Sequence, residues 1–375
     1  MGVPLLLRNL QDDNGRIPLL HDYTSPHGEK RARETAVRIA KKGELNSIGI
    51  DESIFLHGHT TNHDTLEKNA ENIASVIKYY ITRICNFFEH YRGEKETKEE
   101  KRINEKSDIK IFLSVDGPPP VKKNRREVRE EKLDDYSQMS LEKKLALQLR
   151  VRDELRSALS NDEKYNFEIR SNHDSGKAYS ARDEGEIELI KFAKSQEART
   201  TNVILSSDSD VTAMVILNKL ENIVIVSPKG ASPCPFISDL QSISDGLKLN
   251  HSQLINYVVL HFLFFGSDYN YGLLNCATEN RKRVLYKFSF EENIDINGIG
   301  KCCNRTKIVN GNEKVDAEIL DCFKKLLIVE AICAVLYYAS LGERKDLLIE
   351  TSPLMYLHCK EEGVSISLLV SMIRF

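Results

Sequence analysis

The sequence predicts an α/β protein: a mainly parallel sheet flanked by helices, with an α-rich region at the C-terminal end. Three observations carry that expectation. Short β-rich apolar runs recur before residue 275, and three of them lead into an aspartate. Helical periodicity fills the intervals, and strands alternating with helices favour a parallel sheet covered on both faces. From Asp316 onward the apolar spacing is helical with no strand-like run of comparable clarity. The expected organisation is a sheet domain over residues 1–275 and an α-rich region over 276–375.

The first run, Ser47–Ile50, leads into Asp51. Leu66–Phe88 follows, with Ile73, Val76, Ile77, Tyr80, Ile81 and Ile84 near one helical face. Segment 92–108 is almost wholly charged and polar, and reads as a solvated helix, a linker or an insertion. Ile109–Val115 is a second strand that leads into Asp116. Glu186–Ala193 is helical and opens on the pair Glu184 and Glu186. Val203–Leu205 leads into Asp208 and Asp210, Val211–Leu220 is helical, and Ile223–Val226 is a further strand. Leu254–Phe265 is an apolar helix that ends just before Asp268. Helical spacing returns from Asp316 to Leu341 and at the end of the chain.

Composition bounds the function. Hydrophobic residues make up 41% and charged residues 29%, which excludes wholesale disorder. The formal net charge is -3, so attraction to phosphate has to come from a local patch. The 8 cysteines include no Cys-x-x-Cys pair, which argues against a zinc ribbon and fits reduced thiols. Leu5–Leu7 is too short for a signal peptide and is followed by Arg8. The most apolar stretch, Leu326–Leu341, is short for a membrane span and contains Glu330. A cytoplasmic or nuclear protein with no membrane association is expected.

The carboxylates carry the chemistry. A lone Asp after a strand is ordinarily a turn residue or a helix N-cap, and Glu184 and Glu186 suit a helix start through the macrodipole. The joint pattern asks for more. In doubly wound sheets, ligands bind outside the carboxyl ends of the strands, which is where Asp51, Asp116, Asp208 and Asp210 fall. Magnesium prefers hard oxygen ligands, two such ions clamp both oxygens of a phosphodiester displacement, and so many acids in one place repel one another without cations.

Several motifs resemble those of Xrn-type 5′→3′ exoribonucleases and flap endonucleases. They are MGVPLLLRNL at the start, IGIDESIFLHG with Asp51 and His57, and FLSVDGPPPVKKNRRE with Asp116. ARDEGEIELIKF follows with Glu184 and Glu186, then LSSDSDV with Asp208 and Asp210, and FFGSDYN with Asp268. They run in family order over roughly 1–275. The Gly266–Tyr269 form is closer to flap endonucleases, whereas MGVP and His57 are closer to Xrn enzymes.

The resemblance implies a PIN-like fold in which segment 92–108 is a linker or flanks an arch. It implies that Asp51, Asp116, Glu184, Glu186, Asp208, Asp210 and Asp268 hold two magnesium or manganese ions (Mg2+ or Mn2+) and form the catalytic centre. It further implies that His57 stacks on a base and that Lys122, Lys123, Arg125, Arg126 and Arg129 meet substrate phosphates. Glu130 and Glu131 stand where Xrn enzymes carry two arginines that read a 5′ monophosphate, so that requirement is not implied here. The expected activity is 5′→3′ exonucleolytic hydrolysis, RNA favoured, by a two-metal-ion mechanism. The expected partner is nucleic acid, either single-stranded RNA or a 5′ end. The alternatives are a structure-specific flap endonuclease on DNA, an RNA endonuclease of the same superfamily, and an inactive nucleic-acid-binding scaffold.

Overall fold

A computed structural model describes residues 17–18, 29–92, 106–116, 134–175, 183–197, 199–228, 236–267, 269–271, 328 and 330–343. In chain order these form β1 (Ile17–Pro18), α1 (Glu29–Ala40), β2 (Leu45–Asp51), α2 (Glu52–His59), α3 (Leu66–Arg92), β3 (Ser107–Ser114), α4 (Leu141–Leu159) and β4 (Tyr165–Ser171). They continue with α5 (Gly185–Lys194), β5 (Thr201–Leu205), α6 (Ser209–Leu217), β6 (Ile223–Ser227), β7 (Phe236–Asp239), α7 (Leu240–Leu247) and α8 (His251–Phe265). The short pair β8 (Gly266–Ser267) and β9 (Asn270–Tyr271) follows, and residues 330–339 form a last helix, α9.

Among the described residues the main sheet has seven strands in the order β1-β7-β6-β5-β2-β3-β4. The five from β6 to β4 are mutually parallel, and β7 and β1 add antiparallel pairing at one edge. The mainly parallel sheet flanked by helices is therefore as expected. From β2 the chain steps outward through β3 to β4, while β5 lies on the other side of β2 and leads outward to β6. The strand order reverses between β2 and β5, and such a reversal opens a crevice at the carboxyl ends of the strands.

Strand side chains alternate between two cores. Val203 and Leu205 join Ile48, Ile50, Ile111 and Leu113 beneath α1–α4. Ile204, Ile223 and Ile225 join the apolar faces of α5–α8 on the opposite side. The same second core takes in Ala331, Ala334, Tyr337, Tyr338 and Leu341, so α9 packs with α5, α6 and α8. Strands β5 and β6 are buried on both faces, which is why they read as continuous apolar runs. Gly49 lies where α5 comes close to β2: a Cβ there would stand 3.0 Å from the Leu189 side chain.

Capping fixes the helix starts. Asp51, Ser140, Asp208, Asp239 and Asn250 each accept a backbone N–H as N-caps of α2, α4, α6, α7 and α8. Asp239 has a second task. It is fully buried and takes two bonds from the Arg38 guanidinium, at 2.7 and 2.8 Å, and an ion pair from Lys42. These bonds tie α1 to the β7–α7 corner.

Elements absent from the sequence reading are β1, α1, α2, α4, β4, β7, α7, β8 and β9. The central expectations hold with shifted bounds. The run Ser47–Ile50 extends to Leu45–Asp51 and the helix Leu66–Phe88 to Leu66–Arg92. Most of segment 92–108 lies outside the described residues, as do the N-terminal MGVP and residues 272–327.

Candidate metal centre

The acids gather at the reversal point of the sheet. Asp51 is the last residue of β2 and 5% exposed. Its Oδ1 accepts the Ser53 N–H at 3.1 Å, and its Oδ2 accepts the Ser206 hydroxyl at 2.9 Å. Ser206 follows β5, and its Oγ also accepts the Asp208 N–H at 3.0 Å. One serine therefore stitches the β2 and β5 ends together and sets Asp51 beside Asp208. Asp208 in turn accepts the Asp210 N–H at 3.0 Å, as the cap of α6.

A second set of bonds ties β3 to α5. Asp116 follows β3, is exposed, and accepts the Gly185 N–H at 3.1 Å. The Ser114 hydroxyl donates to the Gly185 carbonyl at 2.9 Å. Glu184 occupies the N-cap position of α5 yet makes no capping bond with its side chain. It accepts the Tyr269 hydroxyl instead. Glu186 lies in the first turn of the same helix, and Asp210 in the first turn of α6 accepts the Tyr338 hydroxyl.

Burial and neighbouring carboxylate charge act on the same groups. Burial pushes the Asp51 carboxyl up to about 7, with Asp116 and Asp208 adding to the rise and the Ser206 and Ser53 bonds opposing it. Burial also raises Glu186 well above the usual carboxylate range, reinforced by Asp116, Asp208, Glu184 and Asp51. Six of the seven expected acids are thus brought to one end of the sheet. The seventh, Asp268, lies outside the described residues, though its neighbours Ser267 and Tyr269 are both buried.

The donor set fits a hard divalent cation. It is made of carboxylate oxygens from several elements, and it concentrates negative charge in a partly dry site. Among the described residues, no three such side chains stand close enough to enclose an ion as placed.

Two groups beyond the sequence reading touch this centre. Glu52 is 1% exposed and is pushed up to about 8 by burial and by Asp51, with Arg152 opposing. Tyr338 arrives from α9. Tyr269 lay within a quoted motif, but Tyr338 sits 128 residues from its partner and has no local signature.

His57 lies on α2 and is exposed. Its Nδ1 pairs with Asp134 at 2.8 Å, and its ring meets Tyr136 edge-on at 4.9 Å. Lys122, Lys123, Arg125, Arg126 and Arg129 lie outside the described residues.

No family model matches the chain. No curated protein matches it either. Among solved structures, the chain is similar to the catalytic core of Rad2 in complex with DNA substrate, at 15% identity and a TM-score of 0.41, covering 82% of each chain. It is similar to T5 D15 protein co-crystallized with metal ions, at 14% identity and a TM-score of 0.35, covering 81% of this chain and 95% of that one. It is also similar to flap endonuclease-1 from Methanococcus jannaschii, at 14% identity and a TM-score of 0.30, covering 83% of this chain and 93% of that one. The chemistry of the site rests on its own side chains. No helix among the described residues is long and apolar enough to cross a membrane.

Proposed function

We propose that the chain is a divalent-metal-dependent 5′→3′ exonuclease that hydrolyses phosphodiester bonds, with RNA favoured over DNA. The observation that carries this reading is the carboxylate cluster at the strand-order reversal, where burial and mutual repulsion raise Asp51 and Glu186 together. A site that strains to hold its own charge gains most from cations, and the polyanionic backbone of a nucleic acid can approach it only once that charge is neutralised.

Asp51, Asp116, Glu184, Glu186, Asp208, Asp210 and Asp268 would hold two Mg2+ or Mn2+ ions. When bound, the ions supply a nucleophile at neutral pH and stabilise charge on the leaving oxygen. The protein's own part is positional. Ser206 fixes Asp51 against Asp208, the Gly185 amide fixes Asp116, and the two tyrosine hydroxyls fix Glu184 and Asp210. His57, exposed on α2 with its ring set against the buried Tyr136, suits stacking with an unpaired base. The basic segment Lys122–Arg129 supplies phosphate contacts.

A second reading, a structure-specific flap endonuclease on DNA, is favoured by one feature: the sequence Gly266-Ser267-Asp268-Tyr269 takes the flap-endonuclease form. Substrates labelled at the 3′ end separate the two readings: 5′-monophosphate RNA, 5′-hydroxyl RNA and a DNA 5′ flap, each with Mg2+ and with excess chelator. Progressive shortening of RNA from its 5′ end, lost in chelator and in the Asp208→Asn protein, is the expected result. Cutting of the flap alone transfers the protein to the second reading. Cleavage that persists in chelator, or in Asp208→Asn, sinks both, and no cleavage of any substrate leaves an inactive nucleic-acid-binding scaffold.

A further inference from the structure

We infer that Tyr338, together with Tyr269, is a positioning residue of the metal centre, so that α9 completes a site otherwise built at the ends of the sheet. The inference rests on the metal-dependent reading above and names a control of cation binding whose principal residue, Tyr338, lies outside every quoted motif.

Tyr338 is 1% exposed and Tyr269 is 8% exposed. Both sit in one aromatic cluster: Tyr338 meets Phe262 at 5.4 Å, Tyr337 at 5.6 Å and Tyr269 at 5.8 Å, all with steeply tilted rings. Phenylalanine would satisfy that packing. A buried hydroxyl is costly unless it is hydrogen-bonded, so its presence needs a partner. Here the two hydroxyls turn to two different acids of the same centre, Tyr338 to Asp210 and Tyr269 to Glu184. Those acids open neighbouring helices, α6 and α5, and Glu184 takes no part in capping its own helix. Each tyrosine donates to one carboxylate oxygen, which fixes the side-chain rotamer. Hydrogen bonds to ligating carboxylates orient them and tune cation affinity, and their loss typically costs about 10–100-fold in affinity.

The test uses the full chain and Mn2+ alone as the probe. Wild type, Tyr338→Phe, Tyr269→Phe and Phe262→Leu are compared by titration calorimetry and by melting temperature. Near-UV difference spectra on adding Mn2+ give a further readout. The sequence has no tryptophan, so those spectra report tyrosines directly. Tyr338→Phe and Tyr269→Phe are expected to melt near the wild-type temperature while binding Mn2+ about 10–100-fold more weakly. In Tyr338→Phe, the metal-induced tyrosine signal should also shrink. Half-maximal cleavage should need correspondingly more Mn2+, with turnover at saturating Mn2+ within a few-fold of wild type. Phe262→Leu loosens the same cluster but keeps both hydroxyls, so it should melt earlier and bind Mn2+ as wild type does. If Phe262→Leu weakens Mn2+ binding as much as Tyr338→Phe, packing is the cause and the inference is overturned. Wild-type affinity and difference spectrum in both tyrosine variants overturn it too. If Tyr338→Phe does not fold, the result from Tyr269→Phe decides. Wild-type protein that binds no Mn2+ removes the metal reading itself, an outcome distinct from wild type binding and the tyrosine variants binding equally well.

Discussion

Asp208 accepts a hydrogen bond from the Asp210 amide as the cap of α6, while its charge raises the proton affinity of Asp51 and Glu186. Asparagine caps a helix as well as aspartate does but carries no charge. Asp208→Asn should therefore leave the melting temperature near that of wild type while cleavage falls by more than the about 10–100-fold that loss of an outer-shell partner costs. Rates near wild type would remove Asp208 from the ligand set. The Asp51 carboxyl makes a second prediction. Its ordinary value is 3.8 and its folded value about 7, so between those pH values the folded chain binds more protons than the unfolded one. Stability in chelator should drop as pH rises across that window, because the shift penalises the charged form. Added Mn2+ should recover stability increasingly toward pH 7 and above, since cations bind the deprotonated carboxylate. Melting temperatures measured from pH 4 to pH 8, with and without Mn2+, check both slopes. A flat profile in chelator would contradict the burial of Asp51 and its crowding by Asp116 and Asp208.

At the level of elements, the contact between α5 and the end of β3 is narrow. A Cβ on Gly185 would stand 3.1 Å from Asp116 Oδ1, the same oxygen that accepts the Gly185 N–H. Gly185→Ala suits the start of a helix and would press on a site acid rather than on the core. Cation affinity and cleavage should fall with little change in melting temperature; calorimetry with Mn2+ beside a melting curve tests the split. The opposite behaviour is expected at the β7–α7 corner. Burial opposes the charged form of Asp239, yet Arg38 and Lys42 together hold its carboxyl well below the usual range. Its contribution to stability is thus present at neutral pH and lost only in strong acid. Asp239→Ala breaks the buried pair and the cap, and should cost about 3 kcal/mol in a urea titration. Asp239→Asn should cost less, because it keeps the cap. Neither should change the Mn2+ affinity of the folded protein. The elements differ in how far the sequence displays them. β5 is buried throughout, so its apolar run and terminal acids stand out, whereas β4 sets exposed residues such as Glu168 and Arg170 between its half-buried and buried ones and looks like surface. Helix α4 is similarly masked by Lys143, Lys144, Arg150 and Arg152.

Across the whole molecule, what can be read locally is the set of strand-end acids, and what cannot is the joinery between distant segments. Asp51, Asp116 and Asp208 each follow a strand that a short window reveals. Tyr338 and the Arg38–Asp239 pair depend on contacts across 128 and 201 residues, which no window contains. The basic segment and Asp268 stay with the resemblance that suggested them. The centre of the sheet shares this long reach. β2 pairs with β5, and the Ser47 hydroxyl bonds Asn202 across 155 residues of chain. Pairings of that span are slow to form, because a large loop must close before any contact rewards it. On the ribosome, Asp51 waits for Asp208 to emerge before its neighbour exists, and the hydroxyl that holds Asp210 emerges later still. A half-made chain therefore carries its acids apart, and the cluster exists only once its most distant partner has emerged.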